Sequence, residues 1–399
     1  MKEENKKSIH IRGGKIIRAW CGIILSVILT LGTVFPVNAS VEVSSPAAML
    51  VEASTGTIIY EKNSTQRRSP ASVTKVMTLL LAFEQVDSGK MKLEDLVTTS
   101  EHAMSMGGSQ VYLEAGETQT LETMIKCIVV SSGNDACVAV AEHIAGTEAE
   151  FVAMMNARAA ELGMTDTHFE DCCGLTESEN HYTTARDIAI MSRELITKHP
   201  KIFDYTKIWM EDITHTTARG SSTFTLSSTN KPIKQYEWAT GLKTGFTSKA
   251  MYCLSATANK NGIDMIAVVM GAPDSKTRNN EIISMFNYGY SVSQIYKDEN
   301  QEPLPVLPVS GGVKDDVLIG YKAPFKYLDV KGRDLSQIEK VISLPENVEA
   351  PINKGEPAGE AVYKLGGEKI GSVPIIYLED VSKATYKDYL KKTLEKLLL

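Results

Sequence analysis

Cysteine is scarce in this chain, with six in 399 residues. Cys21 lies in the amino-terminal apolar run, so removal of that run leaves Cys127, Cys137, Cys172, Cys173 and Cys253. Five is odd, so at least one thiol is unpaired or pairs between chains. Cys172 and Cys173 are adjacent, too close for an ordinary disulfide, and no second Cys/His pair stands at zinc spacing. These absences argue against a disulfide framework and a metal centre and favour small buried thiols, with no cofactor expected. Basic excess is missing too. The formal net charge is -7, although the first 39 residues hold Lys2, Lys6, Lys7, Arg12, Lys15 and Arg18 against only Glu3 and Glu4. The remainder is therefore more acidic still, which excludes nucleic acid as a partner, because phosphates need a basic face. No internal repeat is visible.

What is present begins with an export pattern. The basic stretch precedes an apolar run from Ala19 to Val37, and Val37-Asn38-Ala39 places small residues where a signal peptidase reads. Ser40 is then the first mature residue. An uncleaved membrane anchor is the alternative, but Gly22, Gly32, Pro36 and the cleavage-like site favour a signal peptide. Either way the body is expected outside the cytoplasm.

The body, at 43% hydrophobic and 23% charged over the whole chain, is ordinary for a globular protein and long enough for two domains. Ala47–Val51 and Thr57–Tyr60 read as a hairpin around a Gly-containing turn. Ser72 to Phe83 reads as a helix buried all round. Thr120 to Ile144 reads as two helices broken at Ser131-Ser132-Gly133-Asn134, followed by helices over Glu148–Leu162 and Thr184–Thr197. Met251–Ala258 and Ile263–Met270 read as strands joined at Asn261-Gly262, and Arg278–Tyr290 as a helix. Strands, helices and strands again indicate an α+β domain with helices against an antiparallel sheet. Three prolines between Asn300 and Pro308 mark a linker. Short β-type runs beyond it (Val317–Tyr321, Glu339–Leu344, Glu360–Lys364 and Lys369–Ile376) indicate a small all-β domain. The tail from Ser382 to Leu399 sets Tyr386, Leu390, Leu394, Leu397 and Leu398 at helical spacing among five lysines. That charge forbids a membrane span but suits a helix lying on an anionic membrane surface; packing on the β domain is the alternative. The organisation expected is a signal peptide (1–39), a first domain (40–299), an all-β domain (300–378) and a membrane-associating helix (379–399).

Three short motifs carry the chemistry. Ser72-Val73-Thr74-Lys75 is an S-x-x-K at a helix start, Ser132-Gly133-Asn134 an S-x-N at a helix break, and Lys243-Thr244-Gly245 a K-T-G on a strand. Each alone is commonplace: Ser72 could be a helix cap and Lys75 a solvated charge. In this order they match the pattern of penicillin-binding proteins and serine β-lactamases. A serine hydroxyl needs a base, and Lys75, three positions on along the helix, shares its face. A lysine in a helix interior beside other cations can serve as that base. Ser132 can pass a proton between Lys75 and a leaving amine, and Asn134 can bond a substrate amide and steady Lys75. Lys243 and Thr244 suit a terminal carboxylate, while Gly245 lets the strand approach the substrate backbone. The backbone N–H groups of Ser72 and Phe246 are the expected oxyanion donors.

With these residues the chain resembles the low-molecular-mass penicillin-binding proteins, D-alanyl-D-alanine carboxypeptidases of the S11 peptidase type. Further matching segments are Pro70-Ala71-Ser72-Val73-Thr74-Lys75-Val76-Met77, Ser131 to Ala136, His181-Tyr182-Thr183-Thr184-Ala185 and Gly241 to Thr247. The resemblance covers nearly the whole length. It implies a penicillin-recognising α+β domain, a small β domain, removal of the terminal D-Ala from peptidoglycan pentapeptide stems, and acylation of Ser72 by β-lactam antibiotics. It places the protein at the outer face of the bacterial cytoplasmic membrane or in the cell wall. One departure is Glu170-Asp171-Cys172-Cys173-Gly174-Leu175, where family members often carry Asn-Pro before the Gly-Leu. A class A β-lactamase is disfavoured, because no E-x-x-L-N stretch supplies the deacylating glutamate. A non-catalytic wall-binding or sensor protein is disfavoured by the complete set of Ser72, Lys75, Ser132 and Lys243.

Overall fold

The computed structural model describes residues 41–397, with side chains to residue 395. The expected signal peptide, its cleavage site and Leu398 lie outside the described residues. A five-stranded antiparallel sheet forms the frame. Its strands are β1 (Ala47–Glu52), β2 (Ile58–Lys62), β3 (Ala239–Thr247), β4 (Met251–Lys260) and β5 (Ile263–Ala272), in the spatial order β2-β1-β5-β4-β3.

The apolar run in β5 is continuous because both faces of the sheet are covered. Ile266, Val268 and Met270 join one core, which holds the apolar residues of helices α1 (Lys75–Asp87), α2 (Leu121–Val130), α3 (Asn134–Ala145), α4 (Glu148–Glu161) and α5 (Ala185–Lys198). The alternate residues Met265, Ala267 and Val269 join a second core with Ile282, Met285 and Phe286 of α6 (Ser275–Val292). This period-two division is what a pleated strand imposes. Lys75 to Phe83 are buried without interruption, as the apolar composition of α1 requires.

The expected helix over Ser72–Phe83 differs at its start. Ala71–Thr74 form a 3-10 turn and the α-helix begins at Lys75. Ala71 has φ +48°, outside helical space, so the chain enters by a tight turn in which Val73 N–H donates to Pro70 O. Ser72 therefore sits just ahead of the α-helix instead of within it. One hairpin, Met210–Thr217 with Gly220–Ser227, carries no sequence signal. Its threonines and serines are largely exposed and only Ile213, His215 and Leu226 are buried, so it lacks the apolar alternation that reveals a strand.

Beyond the proline-rich segment a four-stranded antiparallel sheet builds a third core around Tyr363, Val373 and Ile375. The stretch Gln294–Asp298, ahead of residue 300, pairs with Phe325–Asp329. The terminal helix α7 spans Tyr386–Leu397, starting four residues later than expected. No helix among the described residues is long and apolar enough to cross a membrane. All five cysteines in the described residues are buried and unbridged.

Candidate active site

Ser72, Ser132, Thr244, Gly245 and Phe246 line one cleft of about 450 Å³. Three elements meet there. The 3-10 turn presents Ser72, the α2–α3 break presents Ser132, and β3 forms the outer edge of the sheet. Lys75 Nζ lies under Ser72, 3.0 Å from its Oγ. It also donates to Asn134 Oδ1 at 2.6 Å and to the Cys173 carbonyl at 2.8 Å. Lys75 is fully buried, so these three contacts fix the nitrogen completely. Asn134 is oriented in turn by donating Nδ2–H to Gly107 O at 2.7 Å.

Comparisons with known proteins give the family. A family model described as D-alanyl-D-alanine carboxypeptidase matches residues 34–274. The chain belongs to that family. A second model, described as the C-terminal domain of penicillin-binding protein 5, matches residues 290–383. The D-alanyl-D-alanine carboxypeptidase DacF of Bacillus subtilis is 42% identical over 351 residues, covering 87% of this chain and 88% of its own. Penicillin-binding protein 5 of Haemophilus influenzae superposes with a TM-score of 0.72 at 29% identity, covering 86% of this chain and 99% of that one. The Streptomyces K15 DD-transpeptidase superposes with a TM-score of 0.59 at 26% identity over 63% of this chain.

Within this D-alanyl-D-alanine carboxypeptidase family member, the remaining expected residues divide. Ser132, which lines the cleft, has φ +60°, a conformation that costs a non-glycine residue energy. Among the described residues its Oγ hydrogen-bonds neither Lys75 nor Lys243. Lys243 is fully buried and donates to the carbonyl of Thr244 at 2.8 Å. Burial, followed by the nearby Lys75 and then Arg278, pushes the Lys243 pKa well below the usual lysine range. Thr244 Oγ1 shares a 2.5 Å hydrogen bond with Thr229. Phe246 is half exposed and packs on Tyr252, ring centroids 4.4 Å apart.

Gly245 also meets the protein's own backbone. A Cβ there would lie 2.8 Å from Pro70 O and 3.1 Å from Ser72 N, so the missing side chain lets β3 approach the turn that carries Ser72. This contact brings the Ser72 and Phe246 backbones to the same end of the cleft.

Several residues carry no motif signal. Arg278 lines the cleft while 5% exposed, with its pKa lowered to about 10 by burial. It stands at the start of a helix, where an arginine is unremarkable in sequence. The Asp171 carboxylate accepts from Cys173 N at 2.9 Å and Thr176 N at 2.7 Å, and also from Gly174 N. It thereby bends the loop so that the Cys173 carbonyl faces Lys75. Gly174, at φ +76°, would place a Cβ 1.8 Å from Ala71 O. The segment that departs from the family pattern is thus in direct contact with Lys75. His181 Nδ1 accepts from Glu170 N at 3.1 Å, which leaves Nε2–H to donate to Thr74 Oγ1 at 2.9 Å, inside the S-x-x-K turn.

Proposed function

We propose that the protein is an exported serine carboxypeptidase that removes the terminal D-Ala from peptidoglycan stem peptides. The observation that carries this reading is the fixed position of Lys75 Nζ beneath Ser72. Two of its three contacts are pure acceptors, the Asn134 and Cys173 carbonyl oxygens. In the neutral amine both N–H bonds are held by them, and the lone pair is directed at Ser72 Oγ. Ser72 then attacks the carbonyl carbon of the penultimate residue, its proton passing to Lys75 as the Oγ–C bond forms. The backbone N–H groups of Ser72 and Phe246 receive the developing oxyanion, an interaction worth about 3 kcal/mol per donor. Ser132, open to the cleft, carries the proton from Lys75 to the leaving nitrogen, and the C–N bond breaks to release D-Ala. Water then attacks the ester carbonyl and gives a proton to Lys75, which returns it to Ser72 Oγ as the ester C–O bond breaks and the shortened peptide leaves. Lys243, Thr244 and Arg278 hold the substrate's terminal carboxylate.

A β-lactam follows the same first step and leaves a penicilloyl ester on Ser72. Mass spectrometry of a pentapeptide stem incubated with the enzyme tests the assignment: D-Ala is released by the wild type and not by Ser72→Ala. A penicillin adduct on Ser72 that persists supports the carboxypeptidase, whereas rapid turnover of the drug would make the protein a β-lactamase.

The domain division near residue 300, the amino-terminal signal peptide and a peripheral membrane contact belong to the same reading. Tyr386, Leu390 and Leu394, spaced one helical turn apart, are each at least half exposed. Lys392 secures α7 to the β domain by donating to Asp315 Oδ1 at 2.6 Å and to Gly312 O at 3.0 Å. An apolar stripe left uncovered among lysines suits the surface of an anionic membrane.

A further inference from the structure

A second cavity, about 340 Å³ in volume, lies beside the segments that build the catalytic cleft. Its lining includes Arg67, Arg68 and Ser69, which lead directly into the Ser72 turn, and Lys249, which follows the last residue of β3 by two positions. His181, bonded to Thr74 between Ser72 and Lys75, forms another wall with Tyr182. Three cations and a single carboxylate, Glu179, therefore face one concavity next to the reaction centre.

Their existing partners leave capacity for an anion. Arg67 pairs with Asp166 at 2.8 Å and lies 4.6 Å above the Tyr182 ring, which fixes its plane. Lys249 donates to Glu177 O at 2.8 Å and pairs with Glu179, also at 2.8 Å, but the Glu179 side chain is 92% exposed. A partner so open to water holds the ammonium weakly. Among the described residues Arg68 has no carboxylate partner, and its Nε is buried without a hydrogen bond. Its guanidinium rests on Gly271, where a Cβ would come within 2.6 Å of Nη2. Burial holds His181 below the ordinary histidine pKa, against the pull of Asp171 and Glu170, so the wall at that point is neutral. A half-buried guanidinium whose Nε lacks a hydrogen bond, braced against backbone, can receive an acceptor.

The direction of the substrate follows from the function proposed above, on which this inference rests. With the terminal carboxylate at Thr244 and the scissile carbonyl at Phe246, the peptide lies along β3, and its upstream residues continue toward Lys249 and Ala250. An extended peptide advances about 3.4 Å per residue. We infer that this cavity binds a carboxylate carried by the substrate peptide one or two residues before the penultimate D-Ala. The enzyme would thus distinguish stems whose side carboxylates are free from stems in which they are amidated.

The test uses the full chain and two pairs of synthetic peptides ending in D-Ala-D-Ala. In one pair the residue before the penultimate D-Ala is a diamino acid with its second carboxylate free or amidated. In the other pair the preceding residue is a γ-linked D-glutamate with its α-carboxylate free or amidated. We expect kcat/KM to favour the free acid in one pair by about tenfold, mainly through KM. That ratio should fall to near one in Lys249→Ala and in Arg67→Gln, and the responsive pair identifies which carboxylate is read. Equal rates for acid and amide in both pairs overturn the inference, as does a preference that both variants retain. Penicillin acylation, followed by intact mass, reports whether each variant keeps its reaction centre. If the wild type releases D-Ala from no peptide, the proposed function itself fails; release without discrimination sinks only the carboxylate site.

Discussion

At the scale of single residues, Lys243 has the most measurable consequence. Its ammonium is fully buried, with Lys75 and Arg278 nearby, so in the free enzyme it loses its proton at a lower pH than an ordinary lysine. An anionic substrate binds the protonated form, and binding weakens as pH rises through that lowered pKa. We therefore expect kcat/KM for a D-Ala-D-Ala peptide to decline on the alkaline side well before pH 10.5, the ordinary lysine value. The decline should move to higher pH in Lys243→Arg, because a guanidinium keeps its charge. A pH profile of kcat/KM checks both. Gly174 is the other sharp case. Its positive φ alone costs a larger residue about 1–3 kcal/mol, and the clash with Ala71 O adds to that. Gly174→Ala should lower the urea midpoint and slow penicillin acylation together, since the displaced backbone is the one carrying Ser72.

At the scale of elements, the loop from Glu170 to Leu175 matters more than its motif-free sequence suggests. Asp171 collects backbone N–H groups from Cys173, Gly174 and Thr176, and this brace sets the carbonyl that Lys75 uses. Asp171→Ala frees those donors and lets the carbonyl drift. We expect acylation by penicillin to slow by about tenfold or more, equivalent to about 1.4 kcal/mol, with the circular dichroism spectrum unchanged. Stopped-flow acylation of the two proteins measures it. The long helices and the central strands were legible because their apolar residues repeat with periods that only a buried helix or strand explains. The Met210–Ser227 hairpin was not legible, because its pairing is held by backbone bonds among exposed threonines and serines.

At the scale of the whole molecule, no residue of the terminal helix α7 lines the catalytic cleft. The apolar stripe of α7 contributes nothing to the cleft, so removing residues 382–399 should leave D-Ala release intact. The same deletion should abolish sedimentation of the protein lacking residues 1–39 with vesicles of anionic lipid. Binding of the longer form should weaken at high salt, because lysines close to a charged surface act over roughly a Debye length. Vesicle co-sedimentation with and without salt gives the answer, and continued binding of the shortened protein would remove the role assigned to α7.

The sequence by itself determined the reaction class. Ser72 and Lys75 are three positions apart, so local helical geometry nearly suffices to join them, and the order of the three motifs narrows the chemistry further. Only the tertiary structure decided what surrounds that pair. The Cys173 carbonyl, the Gly107 carbonyl and the Arg278 guanidinium come from distant segments, and a backbone carbonyl has no residue identity to read. Gly245 shows the same limit, since its need for a missing side chain arises from contact with Pro70 and Ser72, far away along the chain. Residue types announce what chemistry is possible. Which atoms are close enough to perform it is settled by packing between segments that are remote in sequence.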